Sequence, residues 1–413
     1  MAMLFELKAL NREQRAAFAA SFLGWTLDAF DFFLLVFVVK AIADDFHTEV
    51  KAVTFAILVT LAMRPLGALV FGRLADRFGR RPILMLDILL YSALELASAF
   101  APSLAVLIVL RALFGFAMGG EWGVGASLVM ESIPARSRGV VSGILQQGYA
   151  FGYLLAAVVY YALFDLIGWR GMFVVGVVPA LLVLYIRMHV KESPAWQRMT
   201  QTARPVGMLE ALRGRWGLFF YVVLLMTAFN FFSHGTQDLY PTFLQVEHGL
   251  SPHAVGIIAI IYNIGAMLGG IFFGAWSERI GRRRAIIVAA LLALPVIPLW
   301  AYSAHPALLA AGAFVMQFMV QGAWGIVPAH LNELSPAEVR GTFPGFAYQL
   351  GNLIASVNAT LQAQIAATHG GDYGLALALV AGSIAIALAI LAALGSEARG
   401  TTMHSAAASA PSA

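Results

Sequence analysis

The chain has no cysteine and very little charge. Among 413 residues Cys is absent, and Asp, Glu, Lys and Arg together make up 12%. Without cysteine there is no disulfide framework, no thiolate metal site and no cysteine nucleophile. Charge at about half its usual share leaves too few polar groups to cover a water-facing surface. A soluble globular protein, a disordered chain and a secreted disulfide scaffold are disfavoured together. What is abundant is apolar, 60% of the residues. The apolar runs are continuous rather than alternating, so bilayer-spanning helices are expected and a barrel is not.

Crossing ~30 Å of hydrocarbon takes about 20 apolar residues. Twelve such runs lie near 17–40, 52–73, 83–101, 104–130, 139–165, 171–188, 216–246, 254–274, 285–302, 306–330, 342–367 and 373–395. The expected fold class is an all-α polytopic membrane protein. The net charge of +4 has a simple source in loop arginines that set topology, and no nucleic acid partner is expected. Of the 26 Lys and Arg, Lys40, Lys51 and Arg170 fall on one side and Arg64 and Arg111 within spans. The rest collect on the other side, which predicts both termini in the cytoplasm and an even number of spans. The start, Met1 to Ala17, lacks a small-residue cleavage site and reads as a cytoplasmic tail, not a signal peptide. Residues 397–413, rich in Ala, Ser, Thr and Pro, are expected to form a disordered tail.

The halves repeat at a constant offset of 202 (Arg77 to Arg279). Gly72, Arg77, Gly79, Arg80 and Arg81 recur as Gly274, Arg279, Gly281, Arg282 and Arg283. Gly120, Trp122 and Gly123 recur as Gly322, Trp324 and Gly325, and Glu131, Pro134, Arg138 and Gly139 as Glu333, Pro336, Arg340 and Gly341. Such a register implies a six-helix unit duplicated in one orientation. The expected organisation is a first bundle at 1–190, a cytoplasmic linker at 191–215 and a second bundle at 216–396. The cavity between parallel halves is the natural substrate site.

Three motifs carry a resemblance. Gly72-Arg73-Leu74-Ala75-Asp76-Arg77-Phe78-Gly79-Arg80-Arg81, with its second copy at Gly274–Arg283, resembles the loop 2–3 signature of the major facilitator superfamily. Arg111 to Gly120 resembles its span 4 motif, and Glu192-Ser193-Pro194 recurs in it too. The resemblance implies two pseudo-symmetric six-helix bundles that work by alternating access, with no cofactor or metal and with the monomer as working unit. Asp76 can bond N–H groups at a facing helix end, and the loop arginines can pair with acids across the seam. Asp76, Arg77, Arg80, Glu131 and Arg138, with their repeats Glu278, Arg279, Arg282, Glu333 and Arg340, are therefore expected to gate the cytoplasmic side. The plainer reading is that these arginines only fix topology.

A charge at mid-bilayer costs at least ~2.5–3.5 kcal/mol and needs a partner or a job. Arg64 lies eight residues before Gly72, about 12 Å into the bilayer, and offers a fork suited to a carboxylate. It is a candidate substrate anchor. The alternative is a structural pair with Asp28 or Asp31, which share one helix face. Asp31 and Glu121 are candidate proton sites. Arg111 reads as structural, and Asp87 and Glu95 receive no role. Gln146, Gln147, Tyr149, Gln349 and Asn352 on spans 5 and 11 are candidates to hydrogen-bond a small oxyanion. Asn263, Gln317 and Gln321 are weaker ones.

Span 7 carries Asn230-Phe231-Phe232-Ser233-His234-Gly235-Thr236-Gln237-Asp238-Leu239-Tyr240-Pro241-Thr242. Asn230, His234 and Asp238 form one helical stripe. Of nine histidines, His234 alone sits deep in a span away from helix ends. Imidazole exchanges protons near neutral pH, and a carboxylate one turn on can share that proton. Asn230, His234 and Gln237 are candidate substrate contacts, with Asp238 and His234 as the proton-coupling pair. The run also resembles the Asn-x-x-Ser/Thr-His-x-Ser/Thr-Gln-Asp-x-x-x-Thr signature of the lactate permeases in the sialate:proton symporter family, at all seven specified positions. That resemblance implies proton symport of a short monocarboxylate such as lactate, pyruvate or acetate, and the compact tails, shorter than those of fungal members, point to a bacterial inner membrane. Symport of a di- or tricarboxylate, a shikimate-like acid or sialic acid is the alternative. A carboxylate sensor on the same fold is a further one. An intramembrane enzyme is not expected, since no span holds a His-x-x-x-His pair or a Gly-x-Ser-x-Gly elbow.

Overall fold

The computed structural model describes residues 10–202 and 208–403. Among them no strand occurs. Ten stretches are long and apolar enough to cross a membrane. One of these, residues 135–189, is 55 residues long. At ~1.5 Å per residue it is far longer than one bilayer needs. It breaks at Gly168, where φ is 61°, and so supplies two crossings. Residues 343–368 add the remaining one as two helices meeting at Ser356–Val357. The twelve helices are α1 (Arg12–Asp45), α2 (Val50–Phe78), α3 (Arg80–Ala99), α4 (Leu104–Ser132), α5 (138–167), α6 (169–189), α7 (Trp216–Val246), α8 (Pro252–Ile280), α9 (Arg282–Ala301), α10 (Pro306–Leu334), α11 (343–368) and α12 (Tyr373–Leu394).

Each half packs through small residues, because apolar lipid leaves helices little besides close contact to associate by. In the first half Gly119 of α4 faces the Arg64 backbone of α2. A Cβ there would stand 2.9 Å from the Arg64 Cα. In the second half Gly269 of α8 lies against Phe318 of α10, where the added Cβ would stand 2.7 Å from the Phe318 Cα, repeating Gly67 against Phe116 in the first half. The α2–α3 and α8–α9 turns need a positive φ, met by Gly79 (107°) and Gly281 (99°). The chain runs through Pro65 as one helix.

The halves meet at the end of the bundle that carries the loop motifs, and the contact follows the repeat. Asp76 at the foot of α2 accepts from the Gly341 N–H (2.7 Å), the Thr342 N–H (3.1 Å) and the Thr342 hydroxyl (2.5 Å), just ahead of α11. Its repeat Glu278 accepts from the Gly139 N–H, at the start of α5. Arg80 pairs with Asp76 (3.0 Å) and Glu131 (3.0 Å), and Arg282 with Glu278 (2.9 Å) and Glu333 (2.9 Å). Arg340 then reaches across to Glu131 and Arg138 across to Glu333, each at 3.7 Å. Higher up, the Ser127 hydroxyl donates to the Arg340 carbonyl and the Ser142 hydroxyl to the Gly325 carbonyl, both at 2.7 Å. Arg77 and Arg279 differ from the expectation for the gate: both side chains are exposed and neither has an ion pair among the described residues. In α-helical register they point away from the seam that Asp76 and Glu278 face.

The linker begins as part of this seam. Glu192 accepts from the N–H groups of Arg80 (3.0 Å) and Arg81 (3.1 Å), capping the N-terminus of α3. Burial pushes its carboxyl above the usual range, against those N–H groups and Arg80, which pull it down. Ser193 donates to Glu131 (2.5 Å) and the Trp196 indole to the Asp76 carbonyl (2.8 Å). Two short helices follow, Pro194–Thr202 and Met208–Ala211. Residues 397–403, expected as part of a disordered tail, are held: Arg399 donates to the Glu278 and Arg279 carbonyls (2.9 and 2.8 Å), and Arg138 donates to the Thr401 carbonyl (2.7 Å). The rest of that tail, 404–413, lies outside the described residues.

This seam makes a prediction. Hydrogen bonds to a buried charge contribute ~1.5–3 kcal/mol each, so if this seam is the gate expected from the loop motifs, Asp76→Ala should shift it toward opening by about tenfold or more. The absence of native cysteine makes a single reporter clean. With Ser127→Cys, labelling by a water-soluble maleimide from the motif end is expected to be slow, and to rise at least about tenfold when Asp76→Ala is added.

Candidate functional site

The only stretch of α7 that is both polar and reachable surrounds His234. The helix runs from Trp216 to Gln237, loses its register at Asp238–Leu239 and restarts at Tyr240 with Pro241 behind it. The Tyr240 hydroxyl ties the outer piece to the backbone of the second half, at the Trp300 and Leu309 carbonyls (3.2 Å each). Just inside the break, the His234 Nδ1 is 3.2 Å from the Asp238 carboxylate and its Nε2 is 3.1 Å from the Asn352 Oδ1 of α11. The two side chains are 38% and 36% exposed. An imidazole between a carboxylate and an amide oxygen, open on one face, can hold a proton on either nitrogen and present it to a ligand.

Two glutamines of α10 hold the rest of the run. Gln317 accepts from Gln237 (2.7 Å) and donates to the Thr236 hydroxyl (3.0 Å), while Gln321 donates to the Ser233 hydroxyl (3.1 Å). Ser233, Thr236 and Gln237 are therefore held in defined orientations. Asn230 goes elsewhere: it is buried and donates to the Met226 carbonyl of its own helix (2.8 Å). The stripe expected to include it thus reduces to His234 and Asp238.

The first-half candidates are more deeply placed. Arg64 is 2% exposed and bonds the Asp28 carboxylate at 3.2 Å, which is the structural pair posed as the alternative to a substrate anchor. Asp31 and Glu121 are fully buried, and none of their carboxyl oxygens has a partner among the described residues. Glu121 lies against Gly24 of α1, where a Cβ would strike it. Arg111 pairs with Glu95 at 2.7 Å, with its guanidinium 4.2 Å from the Phe114 ring centroid. Gln147 donates to the Gly143 carbonyl of its own helix (3.1 Å) and Gln146 accepts from the Trp122 indole (3.2 Å). Gln349 is 1% exposed, with neither amide atom partnered among the described residues. Tyr149 is half-buried, within electrostatic range of both Arg64 and Asp238.

Sequence reasoning passed over Ser127 and Ser142, which bridge the halves. A serine in a Gly-rich helix carries no mark of what faces it, so no local signal distinguished them.

Comparisons with known proteins agree with this geometry. Residues 16–206 match the family described as Sugar (and other) transporter, and residues 224–408 match the Major Facilitator Superfamily. The chain is similar to the probable 4-methylmuconolactone transporter of Cupriavidus pinatubonensis, at 31% identity over 88% of this chain and 86% of that one. It is similar to the carboxylic acid transporter protein homolog of Saccharomyces cerevisiae, at 28% identity over 92% and 68% of the two chains. It is also similar to the sialic acid transporter NanX of Escherichia coli, at 28% over 94% and 95%. Among solved structures, the proton:xylose symporter XylE superposes with a TM-score of 0.76 over 95% of this chain and 98% of that one, at 18% identity. The duplicated six-helix halves, the seam built on the repeated loop motifs and these matches place the chain in the major facilitator superfamily of membrane transporters.

Proposed function

We propose that the protein is a secondary active transporter that carries a short monocarboxylate such as lactate, pyruvate or acetate together with a proton. The observation that carries this reading is the half-exposed His234–Asp238 pair, bonded on its far side to Asn352. The reading puts the motif end in the cytoplasm of a bacterial inner membrane, and the monomer holds the whole pathway.

The mechanism follows from the groups in place. With the motif end closed, the opposite end admits substrate and proton. His234 and Asp238 take the proton and share it as one unit. The protonated imidazole then attracts the carboxylate, which Gln237, Tyr149 and Asn352 can orient by hydrogen bonds. Neutralisation of the substrate by the bound proton favours rocking of the halves, which breaks the Asp76 and Glu278 contacts and opens the motif end. Arg64 joins the site only if its bond to Asp28 is exchanged for one to the substrate, and Asp31 and Glu121 are proposed to hold further protons behind it. Coupling has an energetic reason. An anion entering an inside-negative cell loses roughly 2.3 kcal/mol per 100 mV. One accompanying proton removes that cost and adds about 1.4 kcal/mol per pH unit of gradient.

A second reading, symport of a larger organic acid, is favoured by the names of two relatives, which concern 4-methylmuconolactone and sialic acid. Uptake into proteoliposomes under an inward pH gradient tests both. L-lactate is expected to accumulate, and to be displaced by excess pyruvate and acetate but not by sialic acid. Accumulation of sialic acid with none of lactate would decide for the second reading.

A further inference from the structure

The inner piece of α7 ends inside the membrane, one turn beyond His234. It stops at Gln237, Asp238 caps it, and Leu239 leaves helical register (φ −98°, ψ 2°). Pro241 accounts for the stop. It has no N–H to give the Gln237 carbonyl four residues back, and its ring crowds that carbonyl. His234 and Asp238 therefore sit in the last turn of a helix. In an unbroken helix the Gly235 carbonyl would accept from residue 239 and the Thr236 carbonyl from residue 240. A helix end leaves such carbonyls without donors, and in lipid no water replaces them.

Neighbouring helices supply the donors. Gln362 of α11 donates to the Gly235 carbonyl at 2.7 Å. Gln317 of α10 donates to the Thr236 hydroxyl at 3.0 Å and to the Thr236 carbonyl at 3.4 Å. The Gln362 oxygen accepts from Asn358 at 3.4 Å, which fixes the way its amide faces. Both glutamines are sealed, at 0% and 1% exposure, so neither faces a ligand. Gly235 permits the close approach: a Cβ there would stand 2.9 Å from Val380 of α12.

The first half has none of these parts. At the 202-residue offset, Gly235, Pro241, Gln317 and Gln362 fall on Phe33, Val39, Gly115 and Tyr160. There α1 runs through positions 36–37, the repeats of 238–239, as one helix. The break and the amides that satisfy it occur together, in the half that holds the pair.

We infer that Gln362 and Gln317 are positioning residues for His234 and Asp238: their amides cap the end of the inner piece of α7 and keep its last turn helical, so the carboxylate stays one turn from the imidazole. This deepens the proton-coupling reading of the pair and rests on it. The groups that face this turn from α10 and α11 are neutral amides, Gln317, Gln321 and Asn352. The titratable groups within range of Asp238 from other helices are Tyr149 of α5 and Tyr262 of α8.

Nitrogen NMR of the histidine rings, on the purified full chain without substrate, is the test. The His234 signal is the one lost in His234→Gln. A carboxylate within bonding distance moves a neighbour's titration midpoint by about 1–3 pH units. Asp238→Asn removes that carboxylate. Gln362→Met, close in length but without the amide, is expected to move the His234 midpoint by about one unit in the same direction as Asp238→Asn. In the double variant, Gln362→Met should add little to the shift of Asp238→Asn, because the glutamine acts through the carboxylate. Gln317→Met carries the same comparison and stands if Gln362→Met fails to fold. A His234 midpoint unchanged in both methionine variants would overturn the inference, and so would shifts that add in full. The substrate reading fails separately. Midpoints that move as expected in a chain that takes up none of the short acids would overturn monocarboxylate symport and leave the positioning intact.

Discussion

Replacing His234 by Ala or Gln is expected to cut pH-driven L-lactate uptake by about 100-fold, the lower range for loss of a positioned proton-transfer group. The two variants separate the roles of the ring. His234→Ala removes both the proton site and the bond to Asn352. His234→Gln retains an amide that can bond Asn352 but titrates nowhere near neutral pH. Equal loss in both assigns the effect to the proton. Near-normal gradient-driven uptake by His234→Gln would reduce the histidine to a hydrogen-bonding group. Asp238→Asn should behave as His234→Gln does, because in the proposed cycle the two groups, 3.2 Å apart, carry one proton between them.

The second large effect concerns the Arg64–Asp28 pair. Both groups are buried, at 2% and 0% exposure. Removing one partner of a buried pair leaves an uncompensated charge and costs about 3–5 kcal/mol. Asp28→Leu is therefore expected to lower the thermal unfolding midpoint by several degrees. The double variant Arg64→Met with Asp28→Leu should recover most of that loss, since a well-packed apolar pair of similar volume is often neutral or stabilising. A midpoint that stays put in Asp28→Leu would mean the guanidinium has another partner. The double variant also tests transport. If Arg64 only neutralises Asp28, uptake survives in it. If Arg64 exchanges Asp28 for substrate during the cycle, uptake is lost while the protein stays folded.

The fold was legible because the bilayer imposes length and polarity on every crossing, and because the repeat recorded the architecture twice. The loop motif predicted that Asp76 bonds N–H groups of a facing helix end, and the repeat carries the same contact to Glu278. Asp76 meets Gly341 and Glu278 meets Gly139, so each half caps the helix start that follows the other's acidic motif residue. Within the seam, spacing alone separated Arg80 from Arg77 poorly. They lie on either side of the Gly79 turn: Arg80 opens α3 and is buried in an ion-pair cluster, and Arg77 ends α2 and is exposed. The tail at 397–403 was misleading for a related reason. Its composition is that of a solvated segment, but its backbone carbonyls serve Arg138 across the seam, and composition does not register backbone acceptors.

At the site, the sequence marked the polar run of α7 and named Asn352, Gln317 and Gln321 as candidates, but not that they meet that run. His234 with Asp238 one turn on is a local pattern, and the structure closes it at 3.2 Å. Asn230 belongs to the same pattern, yet helical drift turns it into the packing against its own backbone. Asn352 completes the group from 118 residues away, a distance over which pattern carries no register. Arg64 could be placed at mid-depth by counting turns. Counting turns says nothing of whether its fork faces a cavity or a carboxylate on α1, and the structure puts it on Asp28.

The measurement that tests proton coupling most directly is substrate-driven proton movement. Proteoliposomes loaded with a pH-sensitive dye, at equal pH on both sides and clamped at zero potential, receive L-lactate outside. The account predicts that wild-type lumens acidify as lactate enters, well above the slow leak of undissociated acid seen with His234→Gln. Lactate entry into wild-type vesicles with no acidification beyond that leak would contradict it.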